Sequence, residues 1–330
     1  MSETKIKDKK PKLCASGIGG QAVLEGIMMR NNNKYSVAVR KPDKGIAIDI
    51  KEHNVKTSTS KILGFPFIRG IFNFVDSMVV GVKSLTYSAS FFEDEEVEEE
   101  PSKFEKWLTD KLGEKLESVV MGFTVAFSIV ISIVLFMLLP LTIADLIERF
   151  IPFVEEQHVP IIEGFVKMLI FIFYVYLISF MPDIKRTYMY HGAEHKCINC
   201  IEKGKILNID NVRSSSRFHK RCGTSFLLIV MVISIVFFIC IRSDNLFMKY
   251  AIRIMLVPVI AGISYEFIKL AGSTENRFVG LLSKPGMWLQ KITTKEPTDD
   301  MIEVAIAAVE AVFDWKQYLR DNGITVPEEE

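Results

Sequence analysis

His191, Glu194 and His195 stand in the run His-Gly-Ala-Glu-His. On a helix, positions i, i+3 and i+4 share one face, so both imidazoles could reach one ion while Glu194 stands beside them. The order is the reverse of the H-E-x-x-H zinc motif. The chemistry it points to is water activated by zinc or another divalent transition metal, with Glu194 as general base. A catalytic zinc takes three protein ligands. His219, Cys222 and Glu266 are the candidates for the third. Glu266 is attractive because an ionisable group in an apolar span is costly, although a position near the helix end also allows snorkelling. The bland reading of His191 and His195 is a polar helix end whose rings bond headgroups or backbone.

Cys197-x-x-Cys200 with His219-x-x-Cys222 offers a rival, a small structural zinc ribbon. At about 100° per residue, Cys197 and Cys200 fall away from His191 and His195, so one ion cannot use all four. The plain alternative is that these cysteines are small buried apolar groups. Gly17-Ile18-Gly19-Gly20-Gln21 lacks the Lys-Ser/Thr end of a phosphate loop and reads as a tight turn passing close to a neighbour. Glu25 and Arg30 follow in an apolar setting, as a buried ion pair or as supports of the site.

The elements that must position these residues are mostly helices in a bilayer. The 330 residues are 49% hydrophobic with a mean hydropathy of +0.24, and the excess lies in a few blocks. That composition excludes an ordinary soluble domain. A formal net charge of zero gives no case for nucleic acid. An odd count of five cysteines and a Lys-rich, polar start favour a reduced, cytosol-facing setting. Four spans are predicted: Val119 to Pro140, Ile161 to Met181, Ser225 to Ile241 and Phe247 to Leu270. The last is the least apolar, with Lys249 and Arg253 near its start. The segment 182–224 holds nine Lys or Arg, whereas 141–160 holds only Arg149. The positive-inside rule then puts the H-x-x-E-H loop and both termini in the cytoplasm.

The expected fold is therefore mainly α, a polytopic helical bundle of about four spans with a small cytosolic β-containing amino-terminal region. Its segments are a flexible tail (1–12), a β-hairpin region (13–60), an amphipathic or interfacial helix (61–92), an acidic linker (93–118), the membrane region (119–270) and a cytosolic helical end (271–330). Tyr35 to Val39 and Gly45 to Ile50 alternate around Lys-Pro-Asp-Lys as a hairpin should. In Phe67 to Phe92, Arg69, Asp76 and Lys83 recur every seven residues on an otherwise apolar surface. Glu93 to Glu100 is acidic at seven of eight positions and cannot form a core. Met301 to Tyr318 keeps Ile302, Ala305, Val309, Val312 and Phe313 on one packing face.

Four blocks in order, Gly19-Gly-Gln-Ala-Val-Leu-Glu-Gly-Ile-Met-Met-Arg30, His191-Gly-Ala-Glu-His-Lys196, His219-Lys-Arg-Cys-Gly-Thr224 and Leu289-Gln-Lys-Ile-Thr-Thr-Lys-Glu-Pro297, together resemble the YqhQ-like family over nearly the whole chain. This family comprises bacterial inner-membrane proteins of unknown function, sometimes described as predicted metal-dependent enzymes. The resemblance implies Gln21, Glu25, Arg30, His191, Glu194, His195, Lys196, His219, Arg221, Cys222 and Gly223 as motif positions. It does not require Cys197, which weakens the ribbon and leaves His219 and Cys222 to the first site. Lys220 stands where Pro is common in the His-x-Arg-Cys block.

The expected activity is metal-assisted hydrolysis of a peptide or lipid-linked substrate at the cytoplasmic face. The rival is a non-enzymatic accessory or biogenesis factor with a structural His-Glu-His unit, whose basic loop contacts a membrane-protein partner such as a translocon, or a ribosome.

Overall fold

The computed structural model describes residues 15–53, 65, 68–92, 116–241, 246–273 and 277–327. The tail at 1–12 and the acidic run from Glu93 to Glu100 lie outside the described residues. The chain is mainly helical with a small antiparallel sheet near its start. Spatially it divides into one unit of residues 1–91, 178–229 and 257–330 and a second of 92–177 and 230–256.

In the first unit, strands β1 (Gly19–Val23), β2 (Gly26–Asn31), β3 (Lys34–Arg40) and β4 (Ile46–Glu52) form a sheet in the order β1-β2-β3-β4. The β3–β4 hairpin is the one expected. The β1–β2 hairpin is an addition to the sequence reading, turning at Leu24 and Glu25. Glu25 takes a left-handed backbone, φ 48°, held by Arg186 on its carboxylate and by Arg40 N–H on its carbonyl at 2.8 Å. Helix α1 (Ile68–Ala89) packs on the sheet, and two of its three charges, Arg69 and Asp76, are paired within the protein, while Lys83 is exposed. Arg69 forms a two-pronged pair with Glu266 at 2.5 and 2.6 Å, and Asp76 takes Arg30 at 2.8 Å and His53 at 2.5 Å. Its outward side carries exposed Phe72, Val75, Met78, Val79, Val82 and Leu85.

In the second unit, α2 (Leu116–Ile133) passes through a π-helical turn at Val134–Leu138 into α3 (Leu139–Phe150). The sequence reading closed this span at Pro140. The helix instead continues ten residues further, because the wide turn just upstream takes up the hydrogen bond and the space that Pro140 disturbs. Helix α4 (Val159–Ile178) approaches α7 (Gly223–Ile239) closely, where a Cβ at Gly164 would collide with the Ile235 side chain. Glu163 is 2% exposed and pairs with Arg253 of α8 (Leu246–Ser273) at 2.8 Å, while the Arg253 guanidinium also sits 4.8 Å from the Phe238 ring centroid. That pairing explains how Arg253 is accommodated while buried in a largely apolar stretch of α8.

Among the described residues, three helices are long and apolar enough to cross a membrane: Ala126–Phe150, Val159–Ile178 and Ala251–Leu270. Gly223–Ile239 is apolar and shorter, at 17 residues.

The segment 182–224, read above as a loop, is largely helical. It holds α5 (Pro182–Glu202) and α6 (Ile209–Arg213). After α9 (Arg277–Thr293), the carboxy-terminal helix expected over 301–318 is two helices, α10 (Asp299–Glu310) and α11 (Trp315–Asp321). Asp314 breaks the run by accepting the Gln317 N–H at 2.8 Å as the cap of α11. Within the first unit, Ile302, Ala305 and Val309 of α10 join Tyr190, Cys197, Ile198 and Ile201 of α5 and Ile27 and Met29 of β2 in one core.

Candidate functional site

Helix α5 begins with Pro182 in its first turn after an extended Met181. One flank, Cys197, Ile198, Cys200 and Ile201, enters the apolar core. This is the plain alternative weighed above for Cys197 and Cys200. Burial pushes Cys197 well above, and Cys200 up to about 11 from, the ordinary thiol range.

The other flank carries His191, Glu194 and His195. The two rings lie 4.4 Å apart between centroids, and His195 is 5.7 Å from His219. Cys222, one residue before α7, places its Sγ 3.2 Å from His191 Nε2 and 3.1 Å from Thr224 Oγ1. One ligand atom each from His191, His195 and Cys222 lie within 4.8 Å of one another, close enough to share an ion.

The orientation of the rings fits that use. His191 Nδ1 meets the Thr293 carbonyl at 2.9 Å, and His195 Nδ1 meets the Arg217 carbonyl at 2.7 Å. A carbonyl only accepts, so each Nδ1 carries hydrogen and each neutral ring keeps its lone pair on Nε2. Backbone carbonyls behind two imidazoles are the support that metal-binding histidines characteristically have. Burial opposes charge on His191, but the Cys222 thiolate outweighs it and pushes the imidazole up to about 9. Burial likewise opposes the Cys222 thiolate, yet His191 and His195 hold that thiol well below its ordinary value. Cys222 Sγ and His191 Nε2 thus face each other as a hydrogen-bonded pair, and a divalent cation held there would displace the proton they share.

The segment that carries the Arg217 carbonyl is itself held in place on either side. Lys196, 4% exposed, donates to the Arg213 and Ser215 carbonyls at 2.8 and 2.9 Å and pairs with Glu296 at 2.9 Å. Asn199 donates to the Ser216 and Phe218 carbonyls at 2.7 and 3.0 Å. Gln290 clamps the His219 backbone, accepting its N–H at 2.9 Å and donating to its carbonyl at 2.8 Å. Glu202 gathers His219, Arg221 and Ser16; burial opposes its charge, but these partners hold its carboxyl at about 2. Gly192 lies directly against the Lys295 carbonyl, which leaves no room for a Cβ. Gly192→Ala should therefore push the 293–296 segment away, lowering stability by about 1–3 kcal/mol. Thermal unfolding of the variant checks it.

Glu194 is 5% exposed, and its Oε2 has no hydrogen-bond partner among the described residues. It lines a cavity of about 900 Å³ with His191, His195, His219, Arg221, Cys222, Gly223, Arg30 and the Gly17-to-Gln21 run. Gly223 opens α7, with open space beside it, and Gln21 presses its amide against Gly81 of α1. Of the three third-ligand candidates, Cys222 joins the two histidines, His219 stands one ring further out, and Glu266 is occupied by Arg69. Glu25 and Arg30 do not pair with each other. Glu25 at the hairpin turn takes Arg186, while Arg30 at the far end of β2 takes Asp76. Residue-by-residue reasoning did not reach Thr293, Gln290, Glu296, Arg217 or Glu202. The block from Leu289 to Pro297 was the available signal for the first three.

The fold and the site define a membrane-associated helical protein with a small sheet and a largely buried His-His-Cys cluster, His191 at its more open side, lining a cavity. The chain belongs to the family described as "Protein of unknown function (DUF1385)", which matches residues 65–315. It is 35% identical over 296 residues to "Uncharacterized protein YqhQ" of Bacillus subtilis (strain 168), covering 87% of this chain and 89% of that one. No solved structure matches.

Proposed function

We propose that the protein is a metal-dependent hydrolase of the bacterial cytoplasmic membrane, with four spans, both termini in the cytoplasm and its site at the cytoplasmic face. The observation that carries this reading is the pair of Nδ1-anchored imidazoles converging with the Cys222 thiol beside Glu194, whose Oε2 has no hydrogen-bond partner among the described residues. His191, His195 and Cys222 would hold a zinc-like ion. Such an ion, when bound, polarises a carbonyl and makes water acidic enough to attack near neutral pH. Glu194 takes the proton of that water and returns it to the leaving group. His219 and Arg221, tied together through Glu202, line the same cavity and position its wall. The short helix Gly223–Ile239 serves as the fourth span, and the apolar outer side of α1 lies against lipid. The substrate class is a peptide or a lipid-linked molecule that reaches the cavity from the membrane surface.

Cobalt(II) substitution tests the ligand set. The purified protein should show a thiolate-to-cobalt charge-transfer band. Cys222→Ser should lose the band and His219→Ala should keep it. A band that survives Cys222→Ser would remove Cys222 from the site.

A further inference from the structure

The backbone register of the sheet decides which groups of β1 are spoken for. Arg40 N–H donates to the Glu25 carbonyl, so residues 25, 27, 29 and 31 of the β2 side turn their backbone groups toward β3. Gly26, Met28 and Arg30 are left for β1, where they face Val23, Gln21 and Gly19. Ile18, Gly20 and Ala22 therefore direct N–H and C=O away from the sheet. Among the described residues no hydrogen bond closes this edge.

Free edges are ordinarily blunted by charge, proline, a bulge or a covering element. Here the residues along the edge are Gly19, Gly20, Gln21 and Ala22, and the first three are exposed. The run from Gly17 to Gln21 lines the same cavity as His191, Glu194 and His195. Glycine is what brings the strand so near: a Cβ at Gly20 would lie 2.6 Å from the Met28 carbonyl and 3.0 Å from Glu194 Cγ. The cavity is poorly suited to an anionic headgroup. Arg30 and Arg221 are already neutralised by Asp76 and Glu202, and of the lining cations only Lys269 lacks an anionic partner among the described residues.

Resting on the hydrolase reading above, we propose that the substrate is an extended polypeptide that pairs as a fifth strand with the free edge of β1. Its main chain would hydrogen-bond to Gly20 and Ala22, which gives affinity with little demand on sequence. That register carries one peptide carbonyl past Glu194 and the His-His-Cys cluster. Water adds to the carbonyl carbon and the C–N bond breaks. Glu194 passes the water's proton to the leaving nitrogen, so the products are one carboxylate and one amine.

The test uses the full-length, zinc-loaded protein in detergent and isothermal titration with three kinds of probe. These are acetohydroxamate, N-acetyl-tetraalanine hydroxamate, and the latter N-methylated at either its first and third or its second and fourth residues. The tetrapeptide should bind about tenfold or more tighter than acetohydroxamate, since it adds at least two backbone hydrogen bonds. One methylated frame should lose that gain and the other should keep it, because a strand edge is met by alternate residues. If acetohydroxamate binds but the peptide adds nothing, or if both frames behave alike, the strand-pairing proposal is overturned while the metal site stands. Failure of acetohydroxamate itself to bind overturns the underlying hydrolase reading.

Discussion

Glu194→Gln should reduce hydrolysis by about 10²–10⁴-fold, the range a positioned general base contributes, with metal content unchanged. The amide keeps the shape of the side chain but cannot take a proton from water. Because Glu194 Oε2 is buried without a partner among the described residues, the neutral variant should be at least as stable as the parent. The assay is the appearance of new primary amines from an unfolded polypeptide offered to the zinc-loaded protein, run beside thermal unfolding in detergent. Full activity in a well-folded, metal-loaded Glu194→Gln protein would remove the base from the mechanism. An inactive variant that has also lost its metal would make Glu194 part of the ligand set instead.

Arg253→Ala should be the most destabilising single change away from the site. Arg253 and Glu163 are 7% and 2% exposed at 2.8 Å, and among the described residues Glu163 Oε2 and Arg253 Nε have no hydrogen-bond partner. Among the described residues, removing the cation leaves the carboxylate with only Lys167, 3.6 Å away, at a cost of about 3–5 kcal/mol. Replacing both partners, as Glu163→Leu with Arg253→Leu, should recover much of that loss, because neither charge then needs a partner. Thermal unfolding of the three proteins in one detergent measures it. A double variant no better than Arg253→Ala would mean that the pair contributes through packing rather than charge.

Some of this was legible from residue order alone and some was not, for physical reasons. The 3.6-residue period of a helix makes His191, Glu194 and His195 neighbours wherever the helix lies, and the same period separates Cys197 and Cys200 from them. The third partner arrives from the start of another helix, so spacing could offer Cys222, His219 and Glu266 but not choose among them. The β3–β4 hairpin announces itself by alternation. Strand β2 does not, because Gly26, Ile27, Met28 and Met29 are all buried and both of its faces are covered. The charged line on α1 was visible as a seven-residue period, yet only the fold shows Arg69 and Asp76 turned onto Glu266, Arg30 and His53. Basic residues of 182–224 read as a topological signal. Lys196 is instead spent on the backbone carbonyls and the carboxylate around the site, which no charge count reveals.

The central claim is that His191, His195 and Cys222 hold one divalent ion. Elemental analysis of the detergent-purified protein beside its His191→Ala/His195→Ala variant tests it most directly. About one zinc or other transition-metal ion per chain is expected, lost in the variant. A freshly purified, well-folded protein that carries no metal and takes up none when zinc is offered would contradict it.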